Sequence, residues 1–249
     1  MLFSQRDAEL VSLLPVQPFT AKKAAKLWKK NETETRKILE ELASRGLLLD
    51  NLEEGEQVFV LPPTMAGFFE FSMMRYRDDI DQKQLAELFY QYLNVEEDYL
   101  RNLFATSETQ LGRTLVNEEA LPAGNYMEVL DYERATEIIK TATCIGIGIC
   151  YCRHKMEHAG QACDAPMDIC MTFNASAESL TKYGIAREVD VNECMELLHT
   201  AYDNNLVQFA DNVQQGVNFI CNCCGCCCEA MLAAKRFAFA NPVRSEEHT

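Results

Sequence analysis

The stretch Phe219–Met231, FICNCCGCCCEAM, carries six cysteines in thirteen residues and constrains the fold more tightly than any other part of the chain. Thiols at that density invite oxidation. Deprotonated Cys is a soft ligand suited to iron–sulfur clusters, zinc or Cu(I). Cys221, Cys224 and Cys227 are spaced C-x2-C-x2-C, with Gly225 after the second, which is the spacing of a ferredoxin-type cluster loop. The register then breaks. Met231 stands where a fourth Cys is required and Leu232 where a Pro is. Cys223, Cys226 and Cys228 are surplus to such a loop. The run therefore reads as a sulfur-rich metal site whose ligand set is open. Neighbours such as Cys226, Cys227 and Cys228 pair badly as disulfides.

A second group precedes it. Cys150, Cys152, Cys163 and Cys170 follow the spacing C-x-C-x10-C-x6-C. Four thiolates complete one iron–sulfur cluster or one structural zinc. These two groups hold ten of the chain's 12 cysteines, and the remaining pair, Cys144 and Cys194, read as small buried hydrophobes. Zinc prefers paired knuckles around a small loop, and one tetrahedral ion takes only four ligands. The expected cofactor is therefore one or two iron–sulfur clusters of the [4Fe-4S] type, with zinc as the alternative.

Between the groups, Arg153, His154 and His158 read as partners of the ligands, placing a cation or an N–H near cluster sulfur and raising its potential. The bland alternative is a solvated loop. His154–His158 also spells H-x-x-E-H, an inverted zinc-protease pattern. Five residues arise easily by chance, and the flanking cysteines have no place in such a hydrolase. No Gly-rich phosphate loop is complete, because Tyr151 stands where IGIGI needs its third Gly.

Such thiols stay reduced in a cytoplasmic setting, which fits the absence of a signal-peptide pattern at Met1–Arg6 and of any apolar run of membrane length. The net charge of -15 is the opposite of a nucleic-acid binder's. Yet Met1–Pro62 carries 9 basic and 10 acidic residues, net -1. That segment reads as three helices, the second capped by Thr20 and the third by Asn31 with Glu34, followed by a hairpin through LLLDNLEEGEQVFVLP. This is the order of a winged helix-turn-helix. Lys22 and Lys26 on the second helix, and Arg36 and Lys37 on the third, are the candidate DNA contacts. The acidic residues on the third helix argue instead for partner or dimer contact.

Residues 63–126 read as a helical linker or dimerisation layer. Its Met and aromatic stripe, Thr64–Arg77, is core-forming, and no chemistry is assigned to it. Residues 127–243 read as an α+β domain with cysteines at strand ends. Cys144–Cys152 is read as a strand with Ile145, Ile147, Ile149 and Tyr151 inward and glycines opposite, where a ligand or backbone can approach. Cys226–Phe239 is read as a helix. The fold class expected is thus α+β in three parts. Residues 244–249, RSEEHT, match the translated start of a common sequencing adaptor and read as a non-native tail, so the natural chain is expected to continue past Val243.

CYCRHKMEHAGQACDAPMDICMTFN and GVNFICNCCGCCCEAMLAAKRFAFANPV resemble segments of a family of ferredoxin-type iron–sulfur proteins from anaerobic microbes, whose members often carry a winged-helix-like N-terminus. The similarity spans nearly the whole chain to Val243. It implies electron transfer with a redox partner protein. Family members continue into ferredoxin modules with complete C-x2-C-x2-C-x3-C-P motifs, which are absent here. A redox- or metal-sensing transcription regulator, and a zinc-stabilised interaction module, are the alternative functions.

Overall fold

A computed structural model describes residues 2–105, 111–120, 134–213 and 215–237. Helix and strand are mixed throughout. The first part follows its local signals. Helix α1 (Gln5–Val11) opens on a reciprocal cap between Ser4 and Asp7. Thr20 caps α2 (Ala21–Trp28) through the Lys23 N–H. Asn31 caps α3 (Glu32–Ser44) by accepting from the Glu34 N–H at 2.8 Å. Gly46, at φ +76, takes the left-handed turn that lets the chain leave the helix.

The hairpin is β2 (Leu49–Glu53) and β3 (Glu56–Val60), turning at Gly55. With β1 (Phe19–Thr20) it forms a three-stranded antiparallel sheet in the order β1-β3-β2. Phe19, Trp28, Leu39, Leu42 and Phe59 bury together beneath it.

The middle segment packs as its stripe predicts. Phe69, Phe71, Met73 and Met74 are buried. The Phe69 ring lies 4.4 Å from that of Phe89 on α4 (Gln82–Tyr90). A wider π-helical turn, Gln91–Val95, leads on towards α5 (Asp98–Ala105).

The last part holds a six-stranded antiparallel sheet. Its strands are β4 (Gly112–Thr114), β5 (Ile145–Ile149), β6 (Asp168–Phe173), β7 (Arg187–Glu188), β8 (Val207–Asp211) and β9 (Phe219–Cys223), in the order β4-β8-β9-β6-β5-β7. Helices α6 (Ala135–Thr141) and α9 (Val191–Asp203) cover one face, over Ile145, Ile147, Met171, Phe173 and Ile220. Cys194 lies in that core with no exposure, as a small hydrophobe. Helix α8 (Asn174–Lys182) packs on β5 and β2. The other face meets the middle segment, α7 (Tyr151–His158) and α10 (Glu229–Phe237).

Two boundaries differ from expectation, and both move cysteines. The strand expected to reach Cys152 ends at Ile149. Cys150 donates its N–H to Met167 O at 2.7 Å, and its own carbonyl accepts from His154 N at 2.9 Å, closing the first turn of α7. Strand alternation therefore stops before Cys150, and Cys144 lies apart, beside Thr181 and Glu188. The helix expected from Cys226 starts at Glu229, because Gly225–Cys227 form a turn and the first helical bond runs from Leu232 N to Cys228 O.

The glycine face of β5 admits the middle segment. A Cβ on Gly148 would stand 2.7 Å from Met74 Cε, and Ile149 N donates to Met74 O at 2.9 Å. Met74 and its backbone thus fill the space left by the missing side chains. The proposed tail 244–249 and the last two residues of the expected helix lie outside the described residues. Among those described, no helix is long and apolar enough to cross a membrane.

Candidate metal centres

The fold interleaves the two cysteine segments. Alternation on β9 points Phe219, Cys221 and Cys223 away from Ile220 and into the core shared with the middle segment. Cys170 on β6 joins them, while Cys150 and Cys152 enter from the start of α7 and Cys228 from just before α10. These six thiols, with Cys224 at the border to the outer group, wall one chamber beneath the middle segment. Their sulfurs influence one another's protonation in the order Cys150–Cys152–Cys228–Cys223–Cys221–Cys170. The Cys228 to Cys223 Sγ separation is 3.2 Å.

The expected quartet of Cys150, Cys152, Cys163 and Cys170 is therefore corrected. Cys163 leaves it for Cys224, Cys226 and Cys227, and those four sulfurs lie within 4.8 Å of one another. The cause is the turn after β9. It swings Cys224–Cys227 off the sheet and against the loop between α7 and β6 that carries Cys163. Spacing along the chain does not encode that crossing.

The chamber has a residue that the sequence reading left without a role. Glu70 follows the π-type turn Met65–Phe69, and its carboxylate lies 4.0 Å from Cys221 Sγ, in one group with Cys170 and Cys221. Burial, and the Cys150 and Cys228 thiolates, push its pKa up to about 8. A single acidic residue inside the apolar run MAGFFEFSMM was the available signal.

Sulfur protonation follows shared protons. Cys228 is held well below a usual thiol pKa by bonds from Cys152 and Cys223 and by the Met231 and Ala230 N–H groups at the start of α10. Cys150 is lowered by a bond from Cys152, with Arg153 adding to it against burial. In the outer group a bond from Cys227 lowers Cys224 to about 3, helped by backbone N–H groups and Arg153. Cys227 is raised in return, and burial pushes exposed Cys226 up to about 11. A metal ion takes the place of such shared protons.

Arg153 stands between the groups. It is fully buried, donates to Pro166 O and Asn222 O at 2.7 Å each, and lies close enough to Cys150, Cys163 and Cys224 for their charge to raise its pKa. The solvated-loop alternative for this stretch is excluded, since Arg153, His154 and Lys155 have no exposed surface. His154 and His158 face elsewhere. His154 Nδ1 meets Met73 O at 2.8 Å, and its ring packs on Tyr76 and on His158, 5.0 Å away. Burial lowers its pKa. Glu157 of the H-x-x-E-H pattern is exposed, whereas His154 is buried.

One residue further on, Lys155 and Glu229 form a fully buried ion pair, and Asn94 bonds to both. In the first part of the chain Lys22, Lys26 and Lys37 are exposed, whereas Arg36 is engaged by Gln57 at 2.6 Å and Glu32 at 3.3 Å.

The two groups differ in what they fit. The chamber encloses about 70 Å³. One water needs about 10–15 Å³ of such space, so the chamber has room for a compact group of several atoms. The outer group is four thiols gathered at a point. The outer four are a soft-ligand set positioned for a metal ion, and in the chamber Cys170 and Cys221 are so placed together with Glu70. No family model, curated protein or solved structure matches the chain.

Proposed function

We propose that this chain is an iron–sulfur protein that passes electrons to a redox partner protein in the cytoplasm. The observation that carries this reading is the convergence of six thiols from two sequence segments around one chamber. More thiols than four around a multi-atom volume suit an iron–sulfur group better than one zinc ion, which four thiolates saturate. When bound, such a group supplies one-electron transfer. The protein's own part is to supply thiolates, exclude water and set the potential. Apolar Met65, Phe104, Phe209 and Phe219 line the same chamber and keep it dry. Arg153 brings a buried cation to Cys150 and favours the more negative reduced state.

The resemblance to ferredoxin-type proteins of anaerobic microbes points the same way, as does the winged-helix-like order of the first part, read here as a partner or homodimer contact. The full chain purified without oxygen tests the proposal. Iron with matching acid-labile sulfide, and a broad visible absorption bleached by dithionite, is expected. Zinc alone in a colourless protein free of sulfide would refute electron transfer and leave a zinc-stabilised interaction module.

A further inference from the structure

The outer thiol group has its own sulfur geometry. A tetrahedral ion with metal–sulfur bonds of about 2.3 Å holds its four sulfurs about 3.8 Å apart. In the outer group Cys226 and Cys227 are 3.8 Å apart, Cys227 and Cys163 are 3.9 Å apart, and all four sulfurs lie within 4.8 Å of one another. The outer quartet is therefore close to the size of a single-ion site.

We propose that Cys163, Cys224, Cys226 and Cys227 bind one divalent ion of the zinc class in an all-thiolate tetrahedral site, separate from the chamber. The ion displaces the protons of the four thiols and leaves no position for a substrate, so its role is structural. It crosslinks the loop before β6 to the turn before α10. Arg153 supports the same junction independently, because its two guanidinium nitrogens hold Pro166 O on the first loop and Asn222 O on the strand leading into the second. Cys163, Cys226 and Cys227 do not line the chamber, whereas Cys224 borders both. Cys226 is exposed, which gives an ion a route in.

The proposal holds whether or not the chamber carries iron and sulfide, and the test keeps the two apart. Metal-free, fully reduced full-length chain is titrated with Co(II) under anaerobic conditions. Wild type is expected to develop the charge-transfer and ligand-field bands of tetrahedral four-thiolate cobalt, displaced by zinc. Cys226→Ala and Cys226→Ser, at an exposed position where folding is least disturbed, are expected to lose that four-sulfur signature. Cys170→Ala, in the chamber, is expected to keep it. Full-intensity four-thiolate bands in both Cys226 variants would overturn the proposal, as would their loss in Cys170→Ala when its far-ultraviolet dichroism is unchanged.

Acid-labile sulfide on the same Cys226 variants, purified anaerobically, gives the second arm. Sulfide equal to wild type is expected, and its loss would make Cys226 part of the cluster and overturn the separation. Wild type with no sulfide refutes the iron–sulfur reading of the chamber while the cobalt result still decides the outer site.

Discussion

Glu70 and Arg153 both border the chamber, and each sets a prediction. Glu70 has its carboxyl pKa raised from 4.5 to about 8 in the fold. Below about pH 4.5 it is protonated in folded and unfolded chains alike. Between there and about pH 8 only the folded chain keeps the proton. The metal-free fold therefore loses stability as pH rises through that window, and Glu70→Gln should flatten the loss. Urea unfolding of both proteins across the window checks this, and parallel pH profiles would contradict it. Arg153→Met removes a buried charge-assisted contact worth about 1.5–3 kcal/mol. By removing a cation beside Cys150 it should shift a one-electron chamber potential downward in a redox titration. Arg153→Lys, which keeps the charge, should shift it less. The cysteines were legible in the sequence as candidate metal ligands, because of their density. Their grouping was not, since it depends on a turn that crosses between segments. Glu70 was hidden because an acid in an apolar stripe looks like a tolerated surface residue until the stripe is seen to roof a chamber.

At the scale of elements, α7 and α10 are clamped by Lys155 and Glu229, with Asn94 of the π-helical turn as the third member. Two charges with no exposed surface stabilise the fold only while both are present. Lys155→Met leaves Glu229 unpaired and should cost about 3–5 kcal/mol in denaturant unfolding. The double variant Lys155→Met/Glu229→Leu should recover most of that loss. A double variant no better than the single would show that the pair is not an isolated unit. Cap and turn chemistry made the helix starts at Thr20 and Asn31 and the turn at Gly55 legible, because those signals act within four residues. The ends of β5 and the start of α10 were not, since the bond from Cys150 N to Met167 O and the turn through Gly225 are set by distant packing.

For the whole molecule, the three sequence segments share cores across their borders. Leu49, Phe71, Ile185 and Cys223 belong to one buried cluster. Asp50 fastens the first sheet to α8. It is nearly buried, accepts from Lys182 at 2.5 Å, Gln57 at 2.8 Å and Tyr183 at 3.1 Å, and offers its own N–H to Ser179 at 3.0 Å. Arg75 adds bonds to Ser44 O and Tyr183 O. Asp50→Ala should cost about 2–4 kcal/mol by leaving those donors unmatched. It should also raise hydrogen exchange in β2 and α8 before exchange in β9; a uniform rise would contradict the local role. The α+β class was legible from periodicity, while the packing of residues 63–105 over the thiols was not, because stripes show that a face is buried and not what buries it.

The most direct measurement is iron-edge X-ray absorption on the full chain purified without oxygen. An all-sulfur first shell with a short iron–iron vector is predicted, present in wild type and in Cys226→Ser and lost in Cys170→Ala/Cys223→Ala. Iron bound by oxygen or nitrogen, iron with no iron neighbour, or no iron at all would contradict a multi-iron redox group in the six-thiol chamber.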